Sequence, residues 1–308
     1  MKIAFHSNQL GIRGTEVALY DYALGNRDIL GNESIIISDA NADLTSLDKF
    51  KTQFPVYLYS DFSEVESIIY NENIDAVYWI KAGFNDGKLV NNAKNLVHSV
   101  FKHNDVHGDV YAYVSEWLSD EMSNGELPYV PHMVNLPKHN LDYRESFGLK
   151  DKFIVGWYGG DNFELPFSKQ AVIDVAKGRD DVVFLFMNCT PFTSESNVYF
   201  IKGTTNLDEK VAFINTCDVM IHSRERGETF GLTVAEFSTF GKPIITYSNS
   251  PERNHINILG NNGIYYTNYN DLYKILSEID SSVKGYNCYT DFTPEKVMNK
   301  FKEVFLDA

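Results

Sequence analysis

One stretch, Cys217 to Thr246 (CDVMIHSRERGETFGLTVAEFSTFGKPIIT), constrains the fold of this chain more than any other. It opens on a short apolar run, Val219-Met220-Ile221, of the kind that forms a buried strand. A polar loop follows from Ser223 to Thr229, and Phe230 to Phe237 then reads as the start of an amphipathic helix. Gly241-Lys242-Pro243 is a helix stop, and Ile244 to Thr246 is a second apolar strand. Strand, loop, helix and strand make a β-α-β unit with a glycine-marked loop. Such an entry into a helix leaves backbone N–H groups without partners and a positive dipole end that suits an anion. Two carboxylates, Glu228 and Glu236, lie eight residues apart across that helix start. Amides there are donors for a phosphate; carboxylates are acceptors for hydroxyl groups.

The same alternation runs through the rest of the chain. Apolar runs at Ile3–His6, Ser34–Ser38, Val56–Tyr59, Ala76–Ile80, Leu96–Phe101 and Val110–Val114 predict one series of strands. A second series is predicted at Phe153–Trp157, Val182–Met187, Val198–Ile201, Val219–His222, Pro243–Thr246 and Gly263–Tyr266. Helical patterns lie between them, at Thr15–Leu24, Glu64–Tyr70, Ser115–Ser123, Lys169–Lys177, Leu207–Asn215 and Phe230–Phe240. Strands alternating with helices imply parallel sheets covered on both faces, and two series imply two Rossmann-like α/β domains. Pro131, Pro137 and a polar run interrupt the pattern near 135–150. The expected domains are therefore 1–135 and 136–308. The last segment, about 294–306, reads as an amphipathic helix with Val297, Phe301, Val304 and Phe305 on one side. It could pack back across the domains.

Charge and cysteine usage narrow the function classes. The net charge is −15, and residues 1–135 carry 9 Lys/Arg against 19 Asp/Glu. An acidic chain is a poor nucleic-acid binder, because phosphate contacts dominate that affinity. The same charge argues against docking on anionic lipid through the N-terminal half. No window approaches a membrane span, and MKIAFHSNQL reads as a first strand rather than a secretion signal. Cys189, Cys217 and Cys288 are widely spaced and form no metal pattern, which fits a reducing cytoplasm.

The Cys217–Thr246 stretch resembles the E-x7-E signature of retaining glycosyltransferases of family 4, which have the GT-B fold. Ser223, Glu228, Phe230, Gly231, Leu232, Glu236, Gly241 and Pro243 match in order, and Thr229 stands where the family usually has glycine. The resemblance implies two facing Rossmann-like domains with a cleft between them. It implies transfer of a sugar from a nucleotide-diphosphate donor to a hydroxyl of a glycan or other acceptor, with retention at the anomeric carbon. Glu228 would serve the donor sugar as a catalytic residue, Phe230, Gly231 and Leu232 would offer amides to the diphosphate, and Glu236 would hold the ribose diol.

Further segments resemble the same family. Gly14, Thr15 and Glu16 fit its N-terminal glycine loop, which meets acceptor and phosphate, although Arg13 replaces the first glycine of the pair. His98 fits a histidine at the reaction centre, with His103 and His107 as neighbours that could take the part. Ile154-Val155-Gly156-Trp157 stands where the family has an arginine after the glycine; the following lysine is matched by Lys169. Arg224 or Arg226 could supply the missing cation. No D-x-D occurs, so the resemblance implies a reaction without a metal or other cofactor. A non-catalytic nucleotide-sugar binder and a sugar-nucleotide epimerase on the same scaffold are the competing readings.

Overall fold

The structure is a computed structural model that describes residues 1–160 and 163–308. Two units divide the chain: Met1–Asn135 with Asp291–Ala308, and Leu136–Thr290.

The first unit begins β1 (Lys2–Ser7), α1 (Gly14–Asp28), β2 (Glu33–Asp39), α2 (Leu47–Lys51), β3 (Val56–Tyr59) and α3 (Glu64–Asn71). It continues through β4 (Ala76–Lys81), β5 (Lys94–Ser99), β6 (Val110–Tyr113) and α4 (Glu116–Ser123). All six strands are parallel, in the order β3-β2-β1-β4-β5-β6. Parallel strands are covered on both faces, so central ones are apolar throughout. Every residue of β4, AVYWIK, is buried. Phe5 of β1 sits in register with Ile36 on one side and Tyr78 on the other. Ser115 caps α4 by accepting the Leu118 N–H at 3.1 Å, the role its sequence position predicts.

The second unit holds β7 (Phe153–Tyr158), α5 (Pro166–Gly178), β8 (Val182–Met187), β9 (Val198–Ile201), α6 (Leu207–Thr216) and β10 (Val219–His222). There follow β11 (Gly227–Glu228), α7 (Leu232–Thr239), β12 (Ile244–Tyr247), β13 (Glu252–Arg253), α8 (Asn254–Leu259), β14 (Ile264–Tyr266) and α9 (Tyr269–Glu278). Its main sheet runs β14-β12-β10-β7-β8-β9, again all parallel. Counted within each unit, both sheets have the Rossmann order 3-2-1-4-5-6. The order reverses between β1 and β4 in one unit and between β7 and β10 in the other. Ligands of open α/β sheets bind beyond the carboxyl ends of the strands at such a reversal.

The last helix, α10 (Pro294–Phe301), continues as a short π-helical turn over Lys302–Leu306. The sequence reading placed it in 136–308 but allowed it to pack back across the domains; it groups with the first unit. Pro294 stands at N1, and Thr293 caps it by accepting the Lys296 N–H. Its apolar side lies on the first sheet: Phe301 stacks against Phe5 and packs on Tyr22 and Tyr78. Among the described residues no helix is long and apolar enough to cross a membrane.

Candidate functional site

The strand β10 ends at His222, and the chain then turns through Ser223–Thr229 into α7. Two short parallel strands brace the turn, with Gly227 opposite Glu252 and Glu228 opposite Arg253. Gly227 has φ +83°, and a Cβ there would stand 2.0 Å from the Glu252 carbonyl oxygen, so only glycine lets the two strands meet. Gly231 takes the N-cap position of α7 at φ +91°, where a Cβ would stand 3.0 Å from His255 Cβ. The loop is therefore held in one path, with Glu228 at its centre and the first turn of α7 directly after it.

Glu228 is four-fifths buried. His222 Nε2 lies 3.2 Å and Arg224 Nη1 3.1 Å from its Oε1. Burial alone would raise its pKa; the hydrogen bond from His222 and the charge of Arg224 outweigh that and bring it down to about 2. It is a carboxylate at every physiological pH. Arg224 also reaches Glu164 at 3.5 Å, and Arg226 pairs with Glu252 at 2.6 Å. Each of these arginines thus already faces a carboxylate. An open recess of about 410 Å³ adjoins them, lined by Glu164, Glu225, Arg226, Tyr247, Asn249 and Pro251.

Glu236, on α7, is differently placed. It is 3% exposed. It accepts the hydroxyl of Tyr158, the last residue of β7, and lies 2.9 Å from Lys210 Nζ on α6. Burial, and then the Glu236 charge, raise the Tyr158 pKa well above its ordinary value, so its proton stays available to the carboxylate. Phe230 and Leu232 flank Gly231 at the helix start; the Phe230 carbonyl accepts Asn254 Nδ2 at 2.9 Å. Lys169 stands in the first turn of α5, the helix that follows the first strand of the unit, and its ammonium lies 5.8 Å from the Phe192 ring centre. Trp157, at the position of the family arginine, is 1% exposed and packs on Phe163 and Phe186. It is a core residue of this unit.

In the first unit Gly14 opens α1 and is exposed. Thr15 Oγ1 donates to Glu16 at 2.7 Å, and Ser7 Oγ and Gln9 Nε2 reach the same carboxylate at 3.3 and 3.4 Å. Burial raises the Glu16 pKa against these neutral donors. His98 departs from the expectation of a reaction-centre residue. It lies near the end of β5, as its sequence position predicts, but is 0% exposed and has the Tyr78 hydroxyl 2.5 Å from Nδ1. The rings of Tyr22, His132 and Phe305 pack around it, and burial lowers its pKa to about 4. Such a neutral core histidine presents no face to a sugar. His107 is also buried, with Nδ1 2.6 Å from the Asp105 carbonyl, while His103 is partly exposed beside Phe84.

Lys210, Tyr158, His222, Thr246 and His255 were missed in the sequence. Tyr158, His222 and Thr246 share a readable signal: polar side chains at or next to the carboxyl end of neighbouring central strands. Nothing local marks Lys210. Among the described residues no group of three or more His, Cys, Asp or Glu side chains is placed to hold a metal ion.

Two units of identical Rossmann order, with paired carboxylates around a helix start at the reversal of the second sheet, define the fold as GT-B. Residues 193–292, which carry both glutamates, match the family model of glycosyl transferases group 1. A glycosyltransferase from Rickettsia africae is similar in structure at 14% identity and TM-score 0.70, covering 100% of this chain and 99% of that one. The Anabaena protein HepE, solved with UDP-glucose, superposes with TM-score 0.67 at 14% identity over 99% of this chain and 95% of its own. MnaA of S. aureus, solved with UDP, gives 0.66 at 14% over 98% and 96%. No curated protein matches the sequence.

Proposed function

We propose that the chain is a glycosyltransferase that moves a sugar from a nucleotide-diphosphate donor to a hydroxyl acceptor, with retention and without a metal. The observation that carries this reading is the ionised Glu228, fixed by His222 and Arg224 beside the first turn of α7. A fixed negative charge suits a sugar ring that develops positive charge in the transition state. The N–H groups of Phe230, Gly231 and Leu232 then face the diphosphate, as helix starts do. Lys169 and the two arginines offset its charge as the leaving group departs. Glu236 takes the ribose diol, and binding loosens or shares its contact with Lys210. The acceptor meets the first unit near Gly14, Thr15 and Glu16. The match to glycosyl transferases group 1 over the donor-side residues supports the reading. So does the UDP-glucose complex of HepE, as a fold analogue.

Epimerisation of a nucleotide sugar is the second reading, favoured by the similar TM-score of a Listeria monocytogenes protein described as a putative UDP-N-acetylglucosamine 2-epimerase. One screen separates the two. Purified protein is incubated with a panel of nucleotide sugars, with and without sugar acceptors, and the products are read by mass and by proton NMR. Transfer adds a sugar to an acceptor, or to water when acceptor is withheld. Epimerisation leaves every mass unchanged and alters the donor's ring couplings. A panel in which no donor is consumed would sink the transferase reading.

A further inference from the structure

Behind Glu228 and its partner His222 lie two buried polar groups, Thr246 and His255, that neither the motif nor the proposed chemistry uses. His222 Nδ1 lies 2.9 Å from Thr246 Oγ1, and Thr246 Oγ1 lies 3.2 Å from His255 Nε2. His222 is 1% exposed, and Thr246 and His255 are 0% exposed. The two imidazole centres are 4.9 Å apart, at 62°. The line ends at His255 Nδ1, a buried nitrogen without a hydrogen-bond partner among the described residues.

The direction of this line follows from what each atom can do. The Glu228 carboxylate can only accept, so His222 Nε2 must carry the hydrogen it receives. A neutral His222 then has a lone pair at Nδ1, and the Thr246 hydroxyl donates to it. The Thr246 oxygen in turn accepts from His255 Nε2–H. His255 is left with a lone pair at Nδ1. The reverse direction needs a doubly protonated His222 and leaves a buried N–H of His255 without an acceptor, the rarer and costlier orphan. Arg224 already supplies a cation to Glu228. Burial keeps His255 neutral, with a pKa near 3. The groups facing this line are Arg224 and Glu228 on the loop, Glu252 on β13, Arg253 before α8, and Tyr266 of β14, whose hydroxyl donates to the His222 carbonyl at 2.9 Å.

We propose that His222, fixed as its neutral Nε2–H tautomer by Thr246 and His255, is a positioning residue that orients the Glu228 carboxylate. The inference rests on the transferase reading only for what Glu228 does; the placement of Glu228 is a property of the chain without ligand. Three strands and one helix, β10, β11, β12 and α8, therefore converge on one carboxylate.

The test begins on the unliganded protein. Long-range ¹⁵N–¹H spectra of histidine-labelled protein at pH 7.5 should show His222 and His255 as neutral Nε2–H tautomers, assigned by His222→Gln and His255→Asn. Glu228→Gln should shift the His222 ring nitrogens and leave distant histidines such as His139 unmoved. An Nδ1–H tautomer or an imidazolium at His222, or no response to Glu228→Gln, overturns the proposal whatever the reaction is. The second arm is kinetic. His222→Leu removes the donor and should lower kcat about 10- to 100-fold with a smaller change in KM. His222→Gln retains an N–H near the Nε2 position and should recover part of that loss. Leucine equal to or better than glutamine would mean packing alone and would overturn the positioning role. If no nucleotide sugar is turned over by the wild type, the transferase reading fails by itself, and the spectra still decide whether His222 orients Glu228.

Discussion

The two units share one strand order and differ in what they present where that order reverses. At the β1/β4 reversal the carboxylate is Glu16, buried among the neutral donors Ser7, Gln9 and Thr15, and its pKa is raised. The cation there, Lys81 at the end of β4, is locked to Asp86 at 2.5 Å and its pKa is lowered by burial. At the β7/β10 reversal the carboxylate is Glu228, held by His222 and Arg224, with its pKa brought down to about 2. Topology fixes where a ligand meets each sheet; the side chains at the strand ends decide which charge it meets. Glu16 thus sits among neutral donors, and Glu228 beside a charged one, Arg224.

The largest expected effect separates the second unit's two glutamates from each other. Glu236 and Lys210 are both nearly enclosed. Breaking a buried pair leaves an uncompensated charge, so Glu236→Gln alone should destabilise the protein by about 3–5 kcal/mol. Adding Lys210→Met removes the orphan charge and should restore most of that stability in urea melts. Donor affinity should not return with it: a lost carboxylate–diol contact, worth about 1.5–3 kcal/mol, weakens binding roughly 10- to 100-fold. A double mutant that binds nucleotide sugar like the wild type would assign Glu236 to the scaffold alone.

Next in size is the opposite pH response of Glu16 and Glu228. Glu228 has a folded pKa near 2 against an ordinary 4.5, so its stabilisation is present above 4.5 and is lost as pH falls toward 2. A drop of that size corresponds to about 3 kcal/mol. Glu16 has its pKa raised, so its contribution is present below 4.5 and is lost as pH rises through the folded value. Melting temperatures from pH 3.5 to 7.5 should therefore diverge with opposite slopes. The wild-type advantage over Glu228→Gln should grow with pH, and the advantage over Glu16→Gln should shrink. Slopes of the same sign would erase the contrast between the two reversals.

The sheet strands and most of the longer helices were legible because parallel sheets write themselves as apolar runs between amphipathic ones. β7, β8 and β10 are of this kind. The ten-residue α9 was not read. What else escaped the sequence is of two sorts. The two-residue strands β11 and β13 and the six-residue α8 have no period to read, yet they hold Glu228 in place. The partners of the motif glutamates come from elsewhere in the chain, Lys210 from α6 and Tyr158 from β7, and a one-dimensional spacing does not contain them. His98 shows the converse: a histidine at a family-like position is fully buried, with Phe305 of the π-helical turn after α10 among the rings around it. The amphipathic pattern of that last segment states that it packs but not on which sheet; it groups with the first unit.

The smallest expected effect is that of a chelator. The diphosphate of a donor brings charge that must be offset as the bond to the sugar breaks. In many enzymes a divalent ion held by paired aspartates does this, and its Lewis acidity is worth several kcal/mol. Here no D-x-D pair exists in the sequence, while Lys169 in the first turn of α5, Arg224 and Arg226 in the loop before α7, and the first turn of α7 all follow the carboxyl ends of β7 and β10. Those groups are permanent charges and fixed dipoles, and they need no ion to act. Initial rates measured with and without EDTA should accordingly agree within about twofold, since loss of a metal worth several kcal/mol would show as a far larger drop. Lys169→Met, measured alongside, should lower the rate while leaving it equally indifferent to EDTA. A rate abolished by EDTA and restored by Mn²⁺ or Mg²⁺ would break the comparison at its root, because the second unit would then owe its affinity for charge to a bound ion and not to its own strand ends and helix start.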